Sequence, residues 1–168
     1  LNTPLILIVD DDLFSAEITQ SALKPAFQTH HAESGESAFA FVADKTPDLV
    51  LLDISMPGMD GYEVCRALRA NSSLEEIPII FVSALIGEAE RLAGYEVGGD
   101  DFLTKPASIA ELRYKVELAL KNYAERRRLK SELHQAFSTA MTAMSTAAEV
   151  GSVLHFLRTS FSCQDYHS

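Results

Sequence analysis

The sequence predicts an α/β protein with a doubly wound, five-stranded parallel sheet, followed by a long helical extension. Short apolar runs alternate along the chain with stretches of helical period. Several of these runs are apolar throughout, which is typical of strands that are buried on both faces of a parallel sheet. From Leu112 onward, apolar residues recur at 4-3 spacing, which predicts the extension. Strands that alternate with helices favour right-handed crossovers and helices on both faces of the sheet.

The amino-terminal part of the chain contains two strand-helix units. Leu5–Val9 is an apolar run that ends at three consecutive aspartates, so the end of this strand is a candidate site. A helix is predicted for Leu13–Leu23, a strand for Phe27–Ala32, and a helix for Glu36–Ala43 after the break at Ser34-Gly35.

Three further units follow. Asp48–Leu52 and Ile77–Val82 have the composition of buried strands, and Asp101–Thr104 is a short fifth strand that ends before Lys105. Helices are predicted for Tyr62–Arg69, for Glu88–Val97, which the pair Gly98-Gly99 ends, and for the segment after the fifth strand.

Polar side chains follow four of the five predicted strands. Because the carboxyl ends of parallel strands meet at one edge of a sheet, we expect these side chains to lie close together. Converging carboxylates require a cation, and Mg²⁺ or Mn²⁺ prefers such oxygen ligands, with Lys105 as a fixed charge opposite. With a phosphoryl group as ligand, Asp53 could act as the nucleophile and Ser83 could donate a hydrogen bond. The residues at this edge are Asp10, Asp11, Asp12, Asp53, Ser83 and Lys105.

Four segments resemble the receiver domain of two-component response regulators, in the family's order. They are Leu7–Asp12, Leu51–Gly61, Phe81–Ala84 and Asp100–Pro106, and the resemblance covers about residues 4–121. It implies a flavodoxin-like sheet in the order 2-1-3-4-5. It also implies a sensor histidine kinase or a phosphotransfer protein as the partner that supplies the phosphoryl group.

The resemblance implies a role for each residue of the site. Asp53 would be the phosphoacceptor, and Lys105 would bind the phosphoryl group. Ser83 and Phe102 would be the switch residues; Phe102 has no hydroxyl group, so any signal that such a hydroxyl carries is lost. Magnesium ligands would be Asp10, Asp11, Asp53 and the backbone carbonyl of Ser55.

Several polar residues have simpler structural interpretations. Asp12 and Asp60 are placed to cap the first and third helices, and Asp100 and Asp101 fall at the opposite edge of the sheet. Phe102 could belong to the core. His30 and His31 are adjacent in a strand and face opposite sides, so they cannot chelate one metal ion. His134 is interpreted as a surface residue.

The extension is predicted as a helical or coiled-coil segment over residues 122–160 that serves as a linker or in dimerisation, with a disordered end at 161–168. Its apolar positions form two overlapping frames, which is wider than a coiled-coil seam and must be covered. A homodimer, or docking against a domain outside this sequence, would cover it. Gly151 and the Ser/Thr-rich stretch Ser138–Thr146 are alternative markers of a turn between two helices.

Composition excludes several classes of function. The net charge is -10, and the acidic excess lies before residue 106, so the receiver part should repel nucleic acid. The basic cluster Arg126–Arg128 with Lys130 is interpreted as a solvated helix face.

No apolar run reaches the roughly 20 residues of a membrane span, and we expect a cytoplasmic protein. Cys65 and Cys163 should be inert thiols. Because the chain begins with Leu1 rather than methionine, we expect it to be a fragment of a longer protein.

The sequence therefore predicts a phosphorylation-dependent response regulator that is not an enzyme, and two alternatives stay open. The first is a Mg²⁺-dependent phosphohydrolase of the haloacid-dehalogenase type, whose nucleophile follows the first strand in an Asp-x-Asp pattern. Asp10 and Asp12 match that spacing only. The second is a receiver-like scaffold that is never phosphorylated.

Overall fold

The structure, a computed structural model, describes residues 2–84 and 86–162 and contains the five predicted strand-helix units. Element boundaries differ from the predicted ones by a few residues. The strands are β1 (Leu5–Val9), β2 (Gln28–Ala32), β3 (Leu49–Asp53), β4 (Ile79–Ser83) and β5 (Asp101–Thr104). The helices are α1 (Leu13–Leu23), α2 (Gly35–Asp44), α3 (Gly61–Ala70), α4 (Glu88–Glu96) and α5 (Ile109–Ser162).

The five strands form one parallel sheet in the order β2-β1-β3-β4-β5, which confirms the expected fold class and strand order. At the carboxyl ends, Val9 pairs with Leu52, and Asp53 pairs with Val82. Ser83 pairs with Thr104 on the next strand. The ends of the strands are therefore level, and the residues after them meet at one edge, called here the carboxyl edge.

The core has one apolar layer on each face of the sheet. Alternate residues of a strand point to opposite faces, so β3 contributes Val50 and Leu52 to one layer and Leu49 and Leu51 to the other. Helices cover both layers, and every residue of β3 is buried. This burial on both faces explains why the central strands are apolar throughout.

Two predicted helix caps are confirmed. The Asp12 carboxylate accepts a hydrogen bond from the backbone N–H of Phe14 at 3.0 Å and caps α1. At α3, Asp60 accepts from the backbone N–H of Glu63, and the Glu63 carboxylate accepts from the N–H of Asp60, each at 2.9 Å. This reciprocal capping box fixes the point where the chain leaves the loop after β3.

Arg69 closes the edge of the sheet opposite the carboxyl edge. Its guanidinium donates to the carbonyls of Gly98, Leu74 and Ile77 and forms an ion pair of 2.9 Å with Asp100. Asp100 also accepts from the backbone N–H of Ile79. Asp100 is therefore a structural residue far from the carboxyl edge, as its sequence position indicates.

The chain divides into two compact units, Leu1–Ala124 and Glu125–Ser168, and α5 begins in the first and continues in the second. The alternative of a turn in the extension is wrong, because α5 is unbroken through Gly151. Thr142 and Thr146 donate their hydroxyl hydrogen bonds to carbonyls four residues earlier, within the helix. Of the end predicted to be disordered, residues 161–162 belong to α5, and residues 163–168 lie outside the described residues.

Within the described residues, no helix combines the length and the apolar character that crossing a membrane requires.

Replacement of a core leucine should cost far more stability than replacement of an exposed one. Leu51 is 1% exposed, so Leu51→Ala should lower the free energy of unfolding by about 2–5 kcal/mol through lost burial and a cavity. Leu13 is 62% exposed and serves as the matched control, with an expected change within about 0.5 kcal/mol. Urea unfolding followed by circular dichroism measures both, and equal losses would contradict the assignment of the core.

Candidate functional site

The carboxyl edge holds a cluster of buried polar residues at the ends of β1, β3 and β4. Asp10 follows β1 and is 4% exposed, Asp53 ends β3 at 7%, and Ser83 ends β4 at 3%. Polar side chains rarely remain this buried without a partner. Their position at the edge where parallel strands end marks it as the candidate site.

Lys105 supplies the positive charge of the site. Its Nζ atom lies 2.7 Å from Oδ2 of Asp10 and 3.3 Å from Oδ2 of Asp53. Its backbone N–H donates to the carbonyl of Ser83 at 2.9 Å, which continues the pairing of β4 with β5 past the end of the sheet. The sheet thus directs this side chain toward both carboxylates.

The two carboxylates have different protonation tendencies. Burial raises the pKa of Asp53; the charge of Lys105 opposes this rise and the charge of Asp10 adds to it, so the pKa is raised overall. Burial also acts to raise the pKa of Asp10, but the hydrogen bonds from Lys105 and from the backbone N–H of Asp12 outweigh it, and the pKa is lowered. For Lys105, burial lowers the pKa, while the contacts with Asp10 and Asp53 raise it overall.

Three carboxylates at this edge could hold a metal ion. Asp10, Asp11 and Asp53 each offer an oxygen, and these oxygens lie within 4.8 Å of one another. Asp11 is exposed, which leaves a path from solvent. A set of carboxylate oxygens suits a hard divalent cation such as Mg²⁺. The chemistry of the donors therefore fits the expected ion.

The loop after β3 lies against the phosphoacceptor candidate. The backbone N–H of Ser55 donates to Oδ1 of Asp53 at 3.2 Å, and the N–H of Gly61 donates to the carbonyl of Ile54 at 2.9 Å. A Cβ atom at Gly61 would clash with the backbone of Asp53 and Ile54, so only glycine allows this closure. Ser55 is thereby held beside Asp53; the role of its carbonyl as a metal ligand stays a prediction.

Phe102 points into the core. It is 3% exposed, its ring stacks with that of Phe81 at a centroid distance of 5.5 Å, and it meets the ring of Tyr95 edge-on at 5.1 Å. The predicted site residues Asp10, Asp11, Asp53, Ser83 and Lys105 converge, whereas Phe102 packs behind them. Its role as a switch residue stays a prediction.

Sequence reasoning missed His31 as a neighbour of the site. Its Nε2 atom lies 2.7 Å from the backbone carbonyl of Asp10. His30 faces the other side of β2 and stacks on Phe41 of α2. The alternation along a strand separates the two histidines, but it does not reveal which of them contacts the adjacent strand end.

The two remaining candidates in α5 show no organised site. His134 is exposed. In the basic cluster, Arg128 forms ion pairs with Glu125 and Glu132 on its own helix, as expected for a solvated face.

The fold and the site together define a class of protein: a flavodoxin-like α/β domain with an acidic, metal-competent pocket and a lysine at the carboxyl edge of its sheet. The sequence profile of the family described as "Response regulator receiver domain" matches residues 6–117. The chain belongs to this family.

Similar proteins include two curated response regulators. The chain is 40% identical over 102 residues to the response regulator PleD of Caulobacter vibrioides. This alignment covers 60% of this chain and 22% of PleD. The chain is 36% identical over 132 residues to the transcriptional regulatory protein BaeR of Escherichia coli O6:H1. This alignment covers 78% of this chain and 54% of BaeR. The chain therefore spans well under two thirds of either relative.

A solved structure has the same fold. The signal receiver domain of a signal transduction histidine kinase from Syntrophus aciditrophicus aligns with a TM-score of 0.65 and 36% sequence identity, over 71% of this chain and 91% of that one. Membership of this family supports phosphorylation-dependent two-component signalling. Receiver domains generally serve in signalling rather than in catalysis of metabolic reactions.

Asp53→Asn should stabilise the protein when no divalent cation is present. The pKa of Asp53 is raised in the folded protein above the ordinary carboxyl pKa of 3.8. The free energy of unfolding therefore falls as the pH rises from 3.8 through the pKa of the folded protein. At pH 7 the ionised side chain therefore destabilises the fold. We expect a gain of about 1 kcal/mol, roughly 2–4 °C in Tm, in chelator at pH 7.

Glu75→Gln, which neutralises an exposed carboxylate, is the control and should change Tm little. Added Mg²⁺ should raise the Tm of the wild type more than that of Asp53→Asn, because a bound ion stabilises the state that binds it. A loss of stability in Asp53→Asn under chelation would contradict the electrostatic account.

Proposed function

We propose that the chain is the receiver of a response regulator and that Asp53 accepts a phosphoryl group from a histidine of a sensor kinase or a phosphotransfer protein. The observation that carries this proposal is the geometry of the site. A buried carboxylate at the end of a central strand lies 3.3 Å from a lysine ammonium and beside two further carboxylates.

The residues have complementary parts in the transfer. A carboxylate oxygen of Asp53 attacks phosphorus, an O–P bond forms, and the N–P bond to the donor imidazole breaks. Lys105, whose ammonium lies 3.3 Å from Asp53, would neutralise a phosphoryl oxygen, and the hydroxyl of Ser83, at the end of β4, would donate a hydrogen bond to it. Asp10 and Asp11, with Asp53 and the Ser55 carbonyl, would hold Mg²⁺. When bound, the ion would neutralise charge on the transferred group.

Asp53 suits the role of nucleophile better than Asp10 does. The Asp10 carboxylate is occupied by its 2.7 Å ion pair with Lys105 and by the backbone N–H of Asp12 at 2.9 Å. These contacts lower its pKa and make it the weaker nucleophile. This difference favours the response regulator over the phosphohydrolase alternative.

The output would pass through the carboxyl-terminal helix to a second copy of the chain or to an output domain. Along α5, the described residues beyond residue 124 expose a wide apolar stripe, with Leu133 at 72%, Met144 at 68% and Leu154 at 57%. An apolar stripe of this length is usually covered by another helix. Its 4-3 spacing suits pairing with the same helix of a second copy. We propose no nucleic-acid partner for this part of the protein.

Phosphorylation is tested by intact-protein mass after incubation with a small phosphodonor and Mg²⁺. The wild type should gain one phosphoryl mass, and Asp53→Asn should gain none because the attacking oxygen is lost. Asp12→Asn is the control: asparagine retains the cap of α1, and labelling should persist. Stoichiometric labelling of Asp53→Asn would refute the assignment, and an unlabelled wild type would favour the scaffold.

The dimer is tested by light scattering on the full chain. Ala140 lies on the apolar stripe, seven residues after Leu133 and four before Met144, so Ala140→Glu places a charge there, and we expect it to shift the protein to monomer. Ser138→Glu places the same charge on the helix outside that stripe and should leave the assembly unchanged. A wild-type monomer at the highest soluble concentration, or equal effects of both variants, would exclude pairing through this stripe.

A further inference from the structure

Helix α4 is attached to the sheet by few contacts. Among its residues only Gly94 is buried, and its two large apolar side chains, Leu92 and Tyr95, are 61% and 50% exposed. A helix that places no large side chain in the core gains little from burial, so its position costs little to change.

Just after α4, side chains of α3 donate to the carbonyls of Val97 and Gly98. Against the sheet, α4 and the residues after it present a glycine surface to aromatic rings. A Cβ atom at Gly94 would clash with the ring of Phe102, and one at Gly99 would clash with the ring of Phe81. Phe81 stacks with Phe102 in turn. This surface lets the helix lie close to the rings, but it provides shape rather than a directional bond.

A directional bond comes from Tyr62 at the start of α3. The Tyr62 hydroxyl donates to the backbone carbonyl of Glu90, in the first turn of α4, at 3.0 Å. The carboxylate of Glu90 accepts from the backbone N–H of Gly87 at 3.0 Å and so caps the same turn. The Tyr62 ring also packs on Phe81 at a centroid distance of 5.5 Å. The first turn of α4 is therefore held to α3.

Both ends of this bond are close to the candidate site along the chain. Tyr62 follows Gly61, whose position is set by contact with the backbone of Asp53. At the other end, only residues 84–86 separate Ser83 from Gly87 at the start of α4. A movement of Ser83 toward a phosphoryl group on Asp53 would thus pull on the turn that Tyr62 holds.

We infer that the hydrogen bond from the Tyr62 hydroxyl to the Glu90 carbonyl, called here the Tyr62 latch, holds α4 in the arrangement seen here and that phosphorylation of Asp53 acts against it. The inference rests on the proposed function. Phe102 has no hydroxyl group with which to couple the aromatic cluster to a polar partner. Tyr62 carries a hydroxyl that links this cluster to the backbone of α4.

Linkage gives the sign of the effect. If phosphorylation favours an arrangement without the latch, then loss of the latch favours phosphorylation. The factor by which phosphorylation weakens the latch equals the factor by which loss of the latch raises the equilibrium constant for phosphorylation. Tyr62→Phe removes only the hydroxyl and keeps the ring on Phe81. The expected gain in the ratio of phosphorylated to unphosphorylated protein is about fivefold, the size expected for one neutral hydrogen bond, and the phosphorylated fraction rises by the same factor while it is small.

The test compares the full-length wild type, Tyr62→Phe and Tyr95→Phe. Tyr95 lies on α4 in the same aromatic cluster, and its hydroxyl has no hydrogen-bond partner within the described residues, so it is the matched control. The phosphorylated fraction is measured by intact mass at limiting phosphodonor with Mg²⁺. Amide exchange of residues 88–92 is measured without phosphodonor.

The inference predicts faster exchange of residues 88–92 and a larger phosphorylated fraction in Tyr62→Phe alone. Faster exchange with an unchanged phosphorylated fraction would mean that the bond is only structural and would overturn the inference. An equal gain in Tyr95→Phe would also overturn it. If the wild type takes up no phosphoryl group, the proposed function fails and the latch fails with it, whereas labelling of all three proteins to the same fraction removes the latch alone.

Discussion

The ammonium group of Lys105 lies between two buried carboxylates, and the rest of the site depends on this contact. Asp10 and Asp53 carry like charges in a poorly solvated cleft, where their repulsion is stronger than in water. Lys105 contacts both and stabilises the ionised forms. A phosphoryl group on Asp53 would compete with Asp10 for the same ammonium, so its transfer would change the contacts of Lys105.

Charged side chains at the two edges of the sheet differ in how completely they are paired. At the edge opposite the site, the guanidinium of Arg69 is matched by three carbonyls and by Asp100, and the arrangement is fully compensated. At the carboxyl edge, Lys105 contacts two carboxylates, those of Asp10 and Asp53, and the Asp11 carboxylate lies close to both. Such incomplete compensation generally costs stability and is a common property of functional sites, and this group of carboxylates could hold a metal ion.

The packing around Phe102 shows how a change at the edge could reach the surface. Rings from β4 and β5 lie against Gly94 of α4 and against Gly99 after it, and α4 has the fewest buried residues of the helices α1 to α4. A closely packed cluster of rings moves between discrete arrangements rather than deforming gradually. Under the inferred role of the Tyr62 latch, α4 could follow such a change at low cost, because among its residues only Gly94 is buried.

The sequence by itself determined the alternation of strands and helices, the caps at Asp12 and Asp60, and the residues that converge at the carboxyl edge. These features depend on apolar period, cap chemistry and strand order, which are properties of short segments. It also predicted the helical extension, and the weak helix propensity of Gly151, which left a turn open as an alternative, did not break α5. Only the tertiary structure decided the inward packing of Phe102, the contact of His31 with Asp10 and the bond from Tyr62 to Glu90. Each of these joins residues that are distant in sequence, and packing in three dimensions sets their distances, which no local pattern encodes.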